Sequence, residues 1–213
     1  LDLDVLRAPN RDPNGLRIEG VQPFIWQAPD GESILHAGTF RLRRQPSRGI
    51  GGSLTYTLAK SIDDASSIGG GARVVAQNDL DLAAERGLSS FDRRHLVTGD
   101  LTVELPFGPN RRWLSTDSTL SSLLRDWSVS ASYTAESGTP FTARLVGAAS
   151  DVARGTNGTL RANYNGDVVT LADPTLLRFF NTSAFTIPAP GAFGNAGRNT
   201  IIGPGQHFLN AAV

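Results

Sequence analysis

Three segments of this chain alternate apolar residues with small polar residues, and this period of two constrains the fold more than any other feature. The segments span residues 50–62, 95–105 and 127–136. Successive side chains of a β-strand point to opposite faces of the sheet, so each segment predicts a strand with one apolar and one polar face. No window keeps apolar residues at helical spacing over several turns. The sequence therefore predicts an all-β fold with antiparallel strands.

Three weaker patterns, over residues 16–27, 33–45 and 206–213, bring the predicted total to about six strands. The chain starts without a methionine and stops inside the last predicted strand. We therefore expect residues 1–213 to be a piece of a longer protein.

The connections between these strands differ greatly in length. A short turn at 46–49 is followed by a long loop at 63–94, a link at 106–126 and a very long loop at 146–205. In an up-and-down meander, successive connections lie at opposite ends of the sheet, so both long loops fall at one end. Transmembrane β-barrels show this asymmetry. A short connection predicted at 28–32 departs from it.

The longest loop contains a hairpin signal of its own. Asn165-Gly166 lies between residues 160–164 and 168–171. The Asn-Gly pair favours a type I′ turn, so the sequence predicts a β-hairpin here.

The apolar face of such a sheet requires either lipid or a second protein layer, and alternation alone does not decide between them. On the apolar face, Arg44 and Lys60 fall only where a membrane boundary is expected, and long basic side chains can reach the headgroups. Aromatic residues lie near predicted strand ends, as interfacial girdles require: Trp26, Phe107, Trp113 and Trp127. Two readings stay open, a transmembrane barrel and a secreted or surface β-sandwich that acts in adhesion or carbohydrate binding.

Composition excludes several function classes. The 20 Lys and Arg residues balance 20 Asp and Glu, which gives a formal net charge of +0 and no overall attraction to nucleic acid. The chain has no cysteine, so disulfides, thiol nucleophiles and zinc-thiolate sites are absent from it.

No motif of an enzyme, cofactor site or metal site stands out. His36, His95 and His207 lie far apart and are expected to be wall or rim residues. The acidic residues Asp63, Asp64, Asp79 and Asp81 could line a calcium loop, but no EF-hand pattern accompanies them, so solvated loop charge is the expectation. The sequence predicts no catalytic residue and no cofactor.

The charged residues on the polar strand faces and at the strand ends are the candidate ligand-binding positions. A barrel lumen tolerates charges that a sandwich core excludes. The lumen or rim candidates are Arg41, Arg43, Arg93, Arg94, Asp100, Glu104 and Glu136.

Four segments, which cover most of residues 33–213, carry a family resemblance. They read YTLAKSIDDASS at 56–67, ERGLSSFDRRHLVTGDLTVELPFG at 85–108, DWSVSASYTAESGTPFT at 126–142 and FFNTSAFTIPAPGAFGNAGRNTIIGPG at 179–205. By their content, order and spacing the chain resembles the C-terminal barrel of TonB-dependent outer-membrane receptors, especially the Oar-like branch.

This resemblance implies an active transporter in the bacterial outer membrane. Its barrel would be large, closed and plugged by an N-terminal domain, and TonB would supply energy for the uptake of a bulky nutrient. Residues 1–213 would form part of the barrel wall, without a plug domain. The implied partners are outer-membrane lipid, the plug domain and TonB through parts of the parent chain outside this sequence, and an unidentified nutrient. A passive porin is a further reading.

Overall fold

The computed structural model describes most of the chain, namely residues 3–7, 9, 11–12, 15–21, 24, 26–65, 75–108, 113, 119, 127–145, 160–175 and 177–213. Over these residues the fold is all-β, with antiparallel strand pairs and two short 3-10 helices, Leu82–Glu85 and Thr182–Ala184. In chain order the strands are β1 (Leu3–Arg7), β2 (Arg11–Asp12), β3 (Gly15–Leu16), β4 (Trp26–Gly31), β5 (Ser33–Ser47), β6 (Ile50–Asp63), β7 (Gly87–Leu88), β8 (His95–Glu104), β9 (Ser128–Glu136), β10 (Pro140–Phe141), β11 (Asn163–Tyr164), β12 (Phe185–Thr186), β13 (Ile201–Ile202) and β14 (Gln206–Ala212).

The chain divides into two compact units. The sheet unit comprises residues 37–59, 93–137 and 205–213, and the loop unit comprises residues 1–36, 60–92 and 138–204. The sheet unit contains the long alternating segments, and the loop unit contains most of the connections between them.

The main sheet has the strand order β14-β9-β8-β6-β5, and a short pairing of β7 adds to β6. Five of the six predicted strands are confirmed here, those at 33–45, 50–62, 95–105, 127–136 and 206–213, with ends that differ by one to two residues. Strands that follow one another along the chain are neighbours over most of this order. The sheet is therefore an up-and-down meander that fits part of a barrel wall.

A tight turn joins β5 to β6. Arg48 and Gly49 have φ angles of 55° and 78°. Two consecutive positive φ values are typical of a type I′ turn, whose twist matches that of the flanking strands. The turn is thus shorter than the predicted 46–49, because both strands continue up to it.

The loop unit contains small two-stranded pairings, β1-β4, β2-β3, β10-β13 and β11-β12. Val5 and Ala65 are buried together, with Leu82 packed against them. Ile201 of β13 is only 2% exposed. The long connections are therefore folded into ordered structure over the residues described.

The prediction of a strand at 16–27 was wrong. The Val21 amide donates to the Ile18 carbonyl at 3.3 Å, and Gly20 has a φ of +80°, so the chain turns there instead of extending. The short connection predicted at 28–32 was also wrong, because β4 occupies most of it and pairs with β1. The alternation at 16–27 is weak, and local turn formation overrides it.

The hairpin predicted around Asn165-Gly166 was wrong as well. β11 pairs with β12, more than 20 residues further along the chain, and not with residues 168–171. Of the two turn residues only Gly166 has a positive φ, +95°, whereas a type I′ turn needs both. The Asn165 Oδ1 accepts from the Asp167 amide at 3.0 Å, and its Nδ2 donates to the Ser183 carbonyl at 3.2 Å. This Asx turn ties the segment to a later part of the loop.

Candidate functional site

One face of the main sheet carries hydroxyl and charged side chains. Thr39 and Thr57 place their Oγ1 atoms 3.2 Å apart, and the Arg41 Nε donates to the Thr55 Oγ1 at 3.2 Å. The registers of β6, β8, β9 and β14 align the remaining members of this polar face: Ser53, Thr98, Asp100, Thr102, Glu104, Ser128, Ser130, Ser132, Thr134, Glu136 and Asn210. In a barrel this is the face that lines the lumen.

Four of the predicted candidates border one groove on the polar face. The groove has a volume of about 360 Å³ and is lined by Arg41 and Arg43 on β5 and by Asp100 and Glu104 on β8. β6 lies between these two strands, so the basic and acidic sides are about 10 Å apart, two inter-strand spacings. We call this feature the charged groove.

Gly51 and Gly52 on β6 are also among the residues that line the charged groove. A Cβ at Gly52 would overlap the backbone oxygen of Asp100, so no side chain fits there. The neighbouring Ser53 donates from its Oγ to the Asp100 Oδ1 at 2.5 Å and from its amide to the Oδ2 at 3.1 Å. These bonds fix the orientation of the Asp100 carboxylate.

A second groove of about 290 Å³ adjoins the first and shares Asp100 and Thr102 with it. Its other polar residues are Ser130, Ser132 and Asn210 on β9 and β14. The polar face therefore offers a continuous hydroxyl-rich surface with charge at one side.

The other three predicted candidates lie away from the charged groove. Arg93 and Glu136 form an ion pair with Nε and Oε2 3.4 Å apart, and both side chains are half-buried. Arg94 is half-buried, and its carbonyl accepts from the Ala59 amide at 3.1 Å. These residues lie where β8 begins and β9 ends.

The opposite face of the sheet is apolar and exposed. Leu54 is 44% exposed, Leu101 49% and Leu209 70%. Phe40, Leu42, Leu58 and Tyr133 are exposed as well. In water such a continuous apolar surface would be costly, and in a bilayer it contacts the hydrocarbon.

Aromatic and imidazole rings lie at both ends of this apolar face. Tyr56 and Tyr133 stack with histidines toward one end, and Phe107 contacts Trp113 after β8, near the other, with ring planes inclined by 36°. β8, with 10 residues, spans the interval, and at a strand tilt of about 40° it covers roughly 25 Å, the height of the apolar band of an outer-membrane barrel.

The loop unit contains buried charges that the sequence reading missed. Arg198 forms an ion pair with Asp63, and their side chains are 1% and 0% exposed. The Arg198 guanidinium also donates to the carbonyl of Glu85. Asp63, Glu85 and Arg198 lie in three of the four segments that carry the resemblance.

A second buried pair joins Arg161 and Glu85, and Gln77 connects it to the rest of the loop unit. The Gln77 amide donates to the Glu85 Oε1 at 2.8 Å, and its Nε2 donates to the Gly194 carbonyl at 2.9 Å. The backbone of Arg144 forms an isolated antiparallel β-bridge with that of Arg161. Burial lowers the pKa of the Arg144 guanidinium below its ordinary value, and the positive charge of Arg161 lowers it further. We call Asp63, Gln77, Glu85, Arg161 and Arg198 the buried charge cluster.

The four aspartates considered for calcium each bind a group of the protein. Asp63 pairs with Arg198, and the Asp64 Oδ1 accepts from the Glu32 amide at 2.7 Å. The Asp79 Oδ1 lies 2.6 Å from the Arg7 Nε, and Asp81 accepts from the Ala84 amide at the start of a 3-10 helix. Among the residues with described positions, no group of three or more His, Cys, Asp and Glu side chains is arranged to hold a metal ion.

Within the described ranges, no helix is long and apolar enough to span a membrane. A family model for an outer membrane beta barrel domain matches residues 5–213. No curated protein and no solved structure shows a significant match to the chain.

Proposed function

This chain belongs to the outer membrane beta barrel domain family, and from that premise we propose that it forms part of the wall of a TonB-dependent receptor that takes up a bulky nutrient. The family places the protein in the bacterial outer membrane. Membership also favours the barrel over the soluble β-sandwich, because lipid then covers the apolar face. The finer proposal, energised uptake, rests on the charged groove.

The charged groove supports a filled lumen. Arg41 and Arg43 face Asp100 and Glu104 across β6, and Ser53 orients one of the carboxylates. A plug domain inside the barrel would offer acidic groups to one side of the groove and basic groups to the other. Each water-screened pair would contribute about 1 kcal/mol or less, so such contacts can form and break during transport.

The buried charge cluster supports a role for the long loops in binding. Ion pairs and hydrogen bonds join residues 61–92 to residues 160–199 over long sequence separations. Loops held in this way present a fixed surface, which lowers the entropy lost when a ligand binds. We propose that the long loops form one side of the nutrient-binding site and that residues outside this sequence form the rest. The protein binds the nutrient without catalysing a reaction on it.

Uptake by the full-length gene product tests the proposal. Cells with and without the gene are given a panel of labelled ferric siderophores, cobalamin and oligosaccharides, with and without an uncoupler that collapses the proton gradient. We expect one compound to enter only when both the gene and the gradient are present. Gene-dependent entry that ignores the uncoupler would identify a passive porin and contradict energised uptake.

A further inference from the structure

Two tyrosine–histidine pairs lie on the apolar sheet face, with their histidines toward the end where β8 and β14 begin. The Tyr56 Oη lies 2.8 Å from the His95 Nδ1, and the Tyr133 Oη lies 2.8 Å from the His207 Nδ1. The rings of each pair are stacked, with centroids 6.1 and 6.2 Å apart and planes inclined by 15° and 24°. Transport through the lumen does not use these side chains, since they lie on the other face of the sheet.

The two pairs are built in the same way. Tyr56 is opposite Val97 in the register of β6 and β8, and His95 precedes Val97 by two residues. Tyr133 is likewise opposite Leu209, and His207 precedes Leu209 by two residues. In both cases the histidine is the diagonal neighbour on the same face, within reach of a long side chain. The repetition on separate strand pairs indicates a common use.

The position of the pairs identifies their surroundings. On the same face, Leu54 and Leu209 lie level with Tyr133, and Leu101 lies two residues further along β8; the family membership places all three against hydrocarbon. His95 is the first residue of β8 and His207 is the second of β14, so both stand where strands begin after the long loops. In bacterial barrels long loops lie outside the cell, so this boundary is that of the outer leaflet.

The chemistry of the pairs suits an anion. A tyrosine hydroxyl that donates to Nδ1 places the imidazole proton on Nε2, where it can be donated to an acceptor. The acceptors just above the hydrocarbon are headgroup oxygens, and phosphate is the strongest of them. We propose that the two tyrosine–histidine pairs form a binding surface for phosphate-bearing lipid headgroups of the outer leaflet. This assignment needs the lipid-facing sheet but does not depend on nutrient uptake.

Lipid retained by the purified full-length protein tests the proposal. The folded protein in detergent is mixed with lipopolysaccharide or with its enzymatically dephosphorylated form, and native mass spectrometry counts the bound lipid. We expect the double variant H95Q/H207Q to retain about tenfold less phosphorylated lipid than wild type. A decrease of this size corresponds to the loss of hydrogen bonds to a charged group. H36Q, a histidine variant outside both pairs, is the matched control and should retain lipid as wild type does.

Three results would overturn the assignment. They are equal retention by H95Q/H207Q and wild type, equal retention of the two lipid forms by wild type, and full displacement of lipid by millimolar inorganic phosphate, which would indicate a site for the free ion. If H95Q/H207Q does not fold, Y56F/Y133F decides, because it keeps the rings and removes only the hydroxyls that orient the imidazoles. Reduced retention by that variant supports the lipid surface, and unchanged retention refutes it.

Discussion

A single buried arginine stabilises the loop unit to a large extent. Arg198 pairs with Asp63 where both side chains are at most 1% exposed. Replacement by methionine in R198M leaves the carboxylate buried with its guanidinium partner removed, and breaking a buried pair in this way costs about 3–5 kcal/mol. We expect R198M to lower the free energy of unfolding by that amount, measured by guanidinium titration of the full-length protein in micelles.

Two further variants separate charge burial from lost volume. R178M alters an exposed arginine of the same long loop, and we expect a change within about 0.5 kcal/mol. D63N/R198M removes both charges and should recover part of the loss, because no ion is then left in a dry site. An R198M protein as stable as wild type would show that the pair does not hold the loops.

A glycine at position 194 is required by close backbone packing. A Cβ there would overlap the carbonyl oxygen of Arg161, which cannot move as a flexible side chain can. We therefore expect G194A to destabilise the protein by about 1–3 kcal/mol or more, measured by the same titration. G38A is the matched control, since a Cβ at Gly38 meets nothing within 4 Å. Equal effects of the two variants would contradict this packing.

Single-residue roles were predictable from the sequence only where neighbours along a strand define them. The alternation of β5 and β8 is enough to place Arg41, Arg43, Asp100 and Glu104 on the polar face. The buried charge cluster was missed because Arg198 and Asp63 are 135 residues apart along the chain, and no local pattern pairs them. Asp63 and Asp79, interpreted as solvated loop charge, pair with Arg198 and Arg7, and these partners are also too distant along the chain for a local pattern to reveal.

At the scale of the element, neighbouring positions of one strand should respond oppositely to charge. Leu101 lies on the apolar face of β8, and Thr102 lies on its polar face. An arginine facing lipid near the bilayer centre costs about 2–4 kcal/mol, whereas a lumen position tolerates it. We expect L101R to lose that stability in phospholipid vesicles and T102R to lose less than about 1 kcal/mol, followed by tryptophan fluorescence during guanidinium unfolding.

If T102R were the more damaging of the two, the apolar face would have to be packed against protein, and the sheet would be inverted relative to the membrane. The comparison is internal, because both variants add the same side chain to the same strand.

The long strands were predictable because one face of each contacts an apolar medium along its full length. Apolar residues therefore recur at every second position of the sequence. β1 and β4 lack this signal. They pair across the loop unit, where Val5 and Ala28 are buried among turns, and tertiary contacts decide their conformation. The turn after Tyr164 was misassigned since Asn165 hydrogen-bonds to a distant segment, which an Asn-Gly pair alone does not reveal.

At the scale of the whole molecule, barrel topology fixes which connections face the cell exterior. Residues 1–213 contain no cysteine, so chemical labelling of single introduced cysteines can measure this orientation. Short turns of bacterial barrels are periplasmic and long loops are external. We expect A172C, in the long loop, to react with a membrane-impermeant maleimide on intact cells. S47C, beside the β5–β6 turn, should react only after the outer membrane is permeabilised, because the bilayer shields it. The unsubstituted protein, which has no thiol within residues 1–213, sets the background. Labelling of S47C on intact cells with A172C protected would require the reverse orientation, and would move the tyrosine–histidine pairs to the inner leaflet.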